Sequence, residues 1–333
     1  MEAITQEECT AERRPPNTRS DFVPSPKVTI GIPAYNEKGN IGPLLRELLS
    51  QVSSSVTEII VSDDGSNDGT SSEVLRVAGK QGNHKCAVKL IEAKRRSGKA
   101  TAVDKILKLA RGEIIVLIDA DAQIEEGCVD KIIKPFSEDK KVGVTSGNIL
   151  PLNSNDESKL FSYMSCFQRE LNDQLCRRLV NENLTPKVNG AFFAFRRDVV
   201  DHIPNSVVSD DEYISWRAQK QGYKATYVSG AKVYAKDPVN IRDYISKRRR
   251  ILGGHFLIRN TLNYEVPTTR IDLLLPELGR LMVKHWKRIS YLSTMIFLEC
   301  LCRPLAFSDV VRGKVSPRYR VESAKSASRR GQL

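Results

Sequence analysis

The stretch VLIDADAQI, residues 116–124, runs from three adjacent apolar side chains into two carboxylates separated only by Ala120. Val116, Leu117 and Ile118 form the kind of continuous branched run that marks a strand buried on both faces. Asp119 and Asp121 fall where that strand leaves the core. Outward from this point, short apolar runs alternate with helical patterns. KVTIGIPAY (27–35), EIIVSDD (58–64), AVKLIEA (87–93) and EIIVLIDAD (113–121) have strand character. Between them, IGPLLRELLSQV (41–52), SSEVLRVAGKQG (71–82) and KATAVDKILKLA (99–110) carry helical spacing, the last with Gly112 beyond its end. The alternation predicts an α/β chain with a mostly parallel central sheet flanked by helices. In such sheets ligands bind outside the carboxyl ends of the strands. Two of these strands end in acid, at Asp63-Asp64 and at Asp119-Ala120-Asp121.

After residue 125 the alternation loosens. CVDKIIKPF (128–136) is helical in pattern, KVGVTSGNILPL (141–152) strand-like, and 159–180 holds a long helical period. NGAFFAFRRDVV (189–200) and SDDEYISWRAQKQG (209–222) follow, then the extended pattern YKATYVSGAKVYAK (223–236). There is no internal repeat.

Each polar cluster has an ordinary reading beside a chemical one. Two carboxylates one residue apart repel, and their ionised forms are favoured where a positive charge compensates. Mg²⁺ or Mn²⁺ does this with one or two carboxylates plus substrate phosphates; a solvated turn explains the same residues without chemistry. Asp63 and Asp64 precede the turn formers of GSNDGT (65–70), and carboxylates there accept from a base N–H or from ribose hydroxyls. KRRSGKA (94–100) puts four cations before a helix, with Lys99 placed to face Asp119 and a diphosphate. Asp210 and Asp211 open a helical stretch, as dipole-favoured end residues or as a general base. KRRRILGG (247–254) is a basic helix face or a clamp on leaving phosphate.

With 333 residues, 40% hydrophobic and 28% charged, the chain has material for a large core and does not have the composition of a disordered protein. Residues 241–333 hold 19 Lys and Arg against 7 Asp and Glu, so the whole net charge of +12 lies in the last quarter. Such segregation points to an anionic partner for that part. Seven cysteines without a C-x-x-C pair argue against a disulfide framework or a zinc site and for a reducing compartment. Residues 1–16 lack an apolar signal core. The greasiest late stretch, ISYLSTMIFLECLC (289–302), is 14 residues long and contains Glu299, short of the roughly 20 apolar residues of a spanning helix. Residues 270–307 alternate apolar runs with cations, so they are either a helical cap packed on the domain or a membrane-interfacial element. His285, among them, is expected at the surface.

In order along the chain, VTIGIPAYNE, VSDDGSNDGT, GKATAVDKIL, LIDADAQI, NGAFFAFRRDVV, SDDEYIS and KRRRILGG resemble the motifs of family 2 inverting glycosyltransferases, over about residues 27–255. The resemblance implies the GT-A (Rossmann-like) nucleotide-diphospho-sugar transferase fold. It divides the chain into a flexible arm (1–26), a catalytic domain (27–255, donor-nucleotide half 27–125 and acceptor half 126–255), a basic and apolar helical extension (256–311) and a flexible basic tail (312–333). Pro33, Tyr35 and Glu37 match the motif lining the nucleotide-base pocket, and Asp63 and Asp64 the aspartates on base and ribose. Lys99 matches a basic position near the diphosphate. Asp119 and Asp121 match the D-x-D metal motif, with Asp121 as the direct Mg²⁺ or Mn²⁺ ligand. Asp211 aligns with the catalytic base, and Asp210 and Gly190 belong to the acceptor region. Residues 247–251 stand where polymerising members such as hyaluronan, chitin and cellulose synthases have Q-x-x-R-W; Lys247 replaces Gln, Ile251 replaces Trp and only Arg250 is kept.

The implied reaction is transfer from a UDP- or GDP-sugar to a glycan or lipid-linked hydroxyl. The implied location is cytoplasmic and peripheral, on the inner face of the cell membrane, with the basic C-terminal region as the contact. A polyprenyl- or dolichyl-phosphate acceptor is the close rival; it needs little base catalysis, which the Asp210-Asp211 pair argues against. A receiver-like phosphate switch leaves Asp121 and Asp211 without a role. A nucleic-acid binder using the basic C-terminus is disfavoured by the neutral first 240 residues, and no nucleic-acid partner is expected.

Overall fold

A computed structural model describes residues 26–51, 53–80, 86–152 and 159–315. The expected arm and tail fall almost wholly outside these residues. The first half is a strict alternation: β1 (Val28–Ala34), α1 (Lys38–Gln51), β2 (Val56–Asp63), α2 (Thr70–Ala78), β3 (Ala87–Glu92), α3 (Lys99–Leu109) and β4 (Ile114–Ile118). A two-residue β5 (Gln123–Ile124) leads to α4 (Cys128–Glu138), β6 (Val142–Pro151), α5 (Leu160–Asn181), β7 (Phe192–Arg196), α6 (Asp210–Lys220) and β8 (Lys224–Ala235). Three helices close the described chain: α7 (Ile241–Leu262), α8 (Ile271–Lys284) and α9 (Ile289–Val311).

One eight-stranded sheet runs in the order β3-β2-β1-β4-β7-β6-β8-β5. The strands of the first half are parallel, as their pattern predicts. The second half departs from that pattern: β7 is antiparallel to both β4 and β6, and β5 is antiparallel to β8. Four of the seven pairings are therefore parallel and the sheet is mixed. NGAFFAFRRDVV gives no hint of this, because an apolar run has the same pattern in either direction.

The period of two along β4 sorts its side chains between two cores. Val116 and Ile118 pack with Ile41, Leu44 and Leu48 of α1 and Ile132 of α4. Ile115 and Leu117 pack with Val103 and Ile106 of α3, Phe193 and Phe195 of β7 and Ile214 of α6. Gly112 permits the tight entry to β4: a Cβ there would lie 2.4 Å from the Thr29 backbone nitrogen.

A third layer sits beside this sandwich. Tyr163, Met164 and Phe167 of α5 join Tyr244 of α7, Leu281 of α8 and Leu292, Met295 and Leu298 of α9. The α7–α9 seam adds ion pairs to the apolar contact: Arg248 Nη2 lies 2.5 Å from Glu299 Oε2, and Arg249 Nη2 lies 2.6 Å from Asp309 Oδ1. Tyr244 Oη also donates to Glu299 Oε1 at 2.6 Å. His285 corrects the expectation of a surface residue: its Nε2 is 3.1 Å from Glu170 Oε2, and its ring packs edge-on against Tyr163 and Phe167. No helix among the described residues is long and apolar enough to cross a membrane.

Arg248→Ala leaves Glu299 partly buried beside Tyr244 without its cation, and it costs ~2–3 kcal/mol in denaturant unfolding. Replacing Arg248 and Glu299 together by methionine costs less than about 1 kcal/mol, because the seam is otherwise apolar.

Candidate active site

The loops leaving β1, β2 and β3 are laced together at the carboxyl edge of the sheet. Asp63 closes its own turn: Oδ1 accepts from the Ser66 N–H at 2.9 Å, and Oδ2 accepts from the Ser71 hydroxyl. Ser66 Oγ accepts from the Asn36 N–H, and Asn36 Oδ1 accepts from the Asn67 N–H. Asp64 reaches the next loop and accepts from the Ser97 and Gly98 N–H groups at 2.8 and 2.7 Å. Burial pushes the Asp64 carboxyl upward, against those two N–H donors. Gly65, at φ 77°, is required here, since a Cβ would meet the Arg95 carbonyl carbon at 2.7 Å. Arg96 lies over the Tyr35 ring at 4.3 Å. Glu37 Oε2 accepts from Asn40 Nδ2 at 2.6 Å. Pro33 sits beside Ser62 in the β1–β2 register.

A second cluster forms where β4, β7 and α6 meet. The Asp119 N–H bonds to the Ala191 carbonyl at 3.0 Å, which ties the end of β4 to the residues before β7. Lys99, the first residue of α3, donates from Nζ to Asp119 Oδ1 at 2.7 Å and to the Gly190 carbonyl at 2.8 Å. Its Nζ also lies 3.9 Å from Asp210 Oδ2. Burial alone would lower the Lys99 pKa, but Asp119, Asp210 and Asp211 together hold it above its ordinary value. Asp210, at the start of α6, is buried, which pushes its carboxyl up to about 6 against the pull of Lys99. The Asp211 carboxylate rests against Gly190: a Cβ at that glycine would lie 2.8 Å from Asp211 Oδ2.

Asp121 faces a different set of charges. Burial and then Asp119 raise its pKa, while Lys247 and Lys236 oppose them. Lys247 Nζ is 2.7 Å from Asp237 Oδ1, and Arg169 Nη2 is 2.9 Å from the same oxygen. Burial works against the Asp237 carboxylate, yet Arg169 and Lys247 hold it at about 2.

The structure thus gathers Lys99, Asp119, Gly190, Asp210 and Asp211, with Asp121 beside them. Of the basic run 247–250, Lys247 is held at Asp237 and Arg248 and Arg249 turn into the α7–α9 seam. Arg250 has no ion-pair partner among the described residues and lies one turn on from Lys247. Among the described residues no group of three or more His, Cys, Asp and Glu forms a metal cage. Asp119 and Asp121 fit a divalent ion of the kind that completes its shell with substrate oxygens: they offer hard ligands, and the unfavourable charge on Asp121 is what such an ion relieves.

Sequence reasoning passed over Glu212. It is 1% exposed, and neither carboxylate oxygen finds a hydrogen-bond partner within reach. Burial, then Asp211, pushes its pKa up to about 8, while Lys187 and Tyr264 oppose the rise. Acids are ordinary at a helix start, so nothing local in the sequence marks Glu212, and only the tertiary packing shows it buried.

The profile of glycosyl transferase family 2 matches residues 29–203. The poly-beta-1,6-N-acetyl-D-glucosamine synthase of Staphylococcus aureus is 24% identical over 269 residues, which cover 80% of this chain and 63% of that protein. The synthase of the same name from Staphylococcus epidermidis is 23% identical, covering 79% and 63%. The chain therefore spans less than two thirds of the length of these relatives. Among solved structures, the mannosyltransferase PcManGT from Pyrobaculum calidifontis, in complex with GDP-Man and Mn²⁺, superposes with a TM-score of 0.63 at 21% identity, covering 88% of this chain and 89% of that one. GalNAc-T7 with UDP, GalNAc and Mn²⁺ gives a TM-score of 0.50 at 17% identity, covering 63% and 43%. The architecture is the GT-A-like glycosyltransferase fold.

Two outcomes follow from the site. Gly190→Ala displaces the Asp211 carboxylate and lowers turnover by about 10- to 100-fold, with the melting temperature nearly unchanged. Glu212 keeps its proton to about pH 8 in the folded chain but loses it near 4.5 once unfolded. The folded state therefore binds the extra proton, so stability falls as pH rises from about 4.5 to 8 and is level above. Glu212→Gln removes that slope and raises the melting temperature at pH 8, as a pH series of thermal melts shows.

Proposed function

Because this chain belongs to glycosyl transferase family 2, we propose that it is a metal-dependent inverting enzyme that moves a sugar from a UDP- or GDP-sugar to a hydroxyl of a glycan or lipid-linked acceptor at the cytoplasmic face of a membrane. The observation that carries this reading is the convergence of Lys99, Asp119, Asp210 and Asp211 on one point at the strand ends, joined by the hydrogen bonds of Lys99 to Asp119 and to the Gly190 carbonyl.

Asp211 is the base. It is less buried than Asp210, whose carboxylate faces Lys99. It takes the proton of the acceptor hydroxyl as that oxygen attacks the anomeric carbon, while the bond from that carbon to the diphosphate oxygen breaks on the opposite face. The attack from the far side inverts the configuration. Asp121 and Asp119 would hold Mg²⁺ or Mn²⁺, which would supply neutralising charge at the diphosphate. Lys99 holds Asp119 oriented through its ammonium hydrogen bond, and Arg250 adds a cation toward the leaving group. Pro33, Tyr35, Glu37, Asp63 and Asp64 shape the pocket for base and ribose, through the loops they hold at the edge of the sheet. Residues 27–125 form the donor half and 126–255 the acceptor half, with Gly190 and Asp210 beside the acceptor. The Mn²⁺ and nucleotide complexes of the two structural neighbours support the donor class, and the staphylococcal synthases support a glycan product. The absence of Gln and Trp from the 247–251 motif weighs against a processive enzyme.

In a thermal-shift screen, UDP or GDP with Mn²⁺ raises the melting temperature by several degrees, and Asp121→Asn removes the metal-dependent part of that rise. Asp211→Asn keeps the shift and loses about 10²- to 10⁴-fold in transfer. Near-normal transfer by Asp211→Asn would remove it as the base.

A further inference from the structure

We propose that the outer face of α9, with the turn that precedes it, docks on an anionic lipid surface and lies in the plane of the interface. The evidence is a helix that is apolar on both sides. Leu292, Met295, Leu298, Cys302 and Ala306 are buried against the protein. On the other side, Ile289, Ile296, Phe297, Leu301, Phe307 and Val311 are exposed, Phe297 to 66% and Val311 to 70%. These positions fall on one side of a 3.6-residue period. Of the fifteen large apolar side chains exposed among the described residues, ten lie between 271 and 311. A contiguous exposed apolar face of this kind marks a docking surface.

Charge identifies the occupant. Within α9, Glu299 and Asp309 turn inward to Arg248 and Arg249, so neither acid reaches the outer face. Both ends of the helix carry exposed cations, Lys287 and Arg288 before it and Arg312 and Lys314 after it. None of these four has an acidic partner among the described residues. Trp286, 66% exposed, stands at the first of these ends. An apolar stripe edged by Trp, Lys and Arg matches the interface of a bilayer with anionic head groups. A second copy of this chain fits worse, because pairing two such helices in either direction sets cations against cations. A spanning orientation does not fit either: the inner half of α9 is packed on the protein, and its acids are paired there.

This surface deepens the membrane-face part of the proposed function, and vesicle binding needs neither donor nor transfer, so either can fail alone. The test is co-sedimentation of the full chain with vesicles of phosphatidylcholine, with or without phosphatidylglycerol, alongside sedimentation equilibrium of the chain alone. The expected result is binding that rises steeply with phosphatidylglycerol. Phe297→Glu with Val311→Glu abolishes it at an unchanged melting temperature, and Lys287→Glu with Arg288→Glu lowers binding to the anionic vesicles by more than about tenfold. The proposal is overturned if the wild-type chain stays in the supernatant with both compositions, or if the Phe297 and Val311 replacements leave binding intact. It is equally overturned if those replacements dissolve a dimer while vesicle binding is absent, which would give the face to a second copy.

Discussion

The Lys99 ammonium is the interaction on which the site depends. Four carboxylates, Asp119, Asp121, Asp210 and Asp211, come from the loop after β4 and the first turn of α6, which the sheet brings to the same edge. Gathered without a cation, they would be held apart by repulsion or neutralised by protonation. Lys99 answers this by bonding Asp119 and the Gly190 carbonyl at once, with Asp210 within 4 Å. One side chain thereby ties the start of α3 to the end of β4, to the residues before β7 and to the first turn of α6. The antiparallel insertion of β7 between β4 and β6 makes this possible. It brings the chain ahead of β7, which holds Gly190, to the same edge at which β4 ends.

The acids at the head of α6 divide the work by burial. Asp210 is sunk beside Lys99, Asp211 is partly exposed against Gly190, and Glu212 is carried into the protein toward Lys187 and Tyr264. A helix start favours negative charge, but three adjacent ionised carboxylates exceed what one helix end compensates. Glu212 with its proton retained removes one of the three charges at neutral pH. That leaves Asp211 with less like-charge repulsion than the sequence DDE suggests.

The sequence made the first half of the fold legible and less of the second. In residues 27–121 each strand is a short apolar run and each helix an amphipathic one, so period and length identify both. The ends of β2 and β4 also announced themselves, because carboxylates directly after a buried run mark a strand's exit. Strand direction was not legible, since Phe192 to Phe195 would look the same in a parallel strand. The basic run 247–250 misled in part. Four cations in a row invite one role, yet a helix sends successive residues to different sides, and Lys247, Arg248 and Arg249 meet three separate acids. Those acids, Asp237, Glu299 and Asp309, are 10 to 60 residues away in the chain, beyond the reach of any local pattern.

That same run gives α7 a mechanical part. Lys247 acts on Asp121 and is anchored at Asp237, while the next two residues grip α9 through Glu299 and Asp309. Charge-assisted pairs with both partners partly buried resist sliding more than apolar contact does, because a shifted register leaves charges unpaired. The apolar outer face of α9 is therefore held at a fixed offset from the carboxylates of the cleft. The cations of the last quarter of the chain are thus divided: Lys247, Arg248 and Arg249 lock α7 to Asp237 and to α9, while Lys287, Arg288, Arg312 and Lys314 remain exposed at the two ends of the apolar stripe.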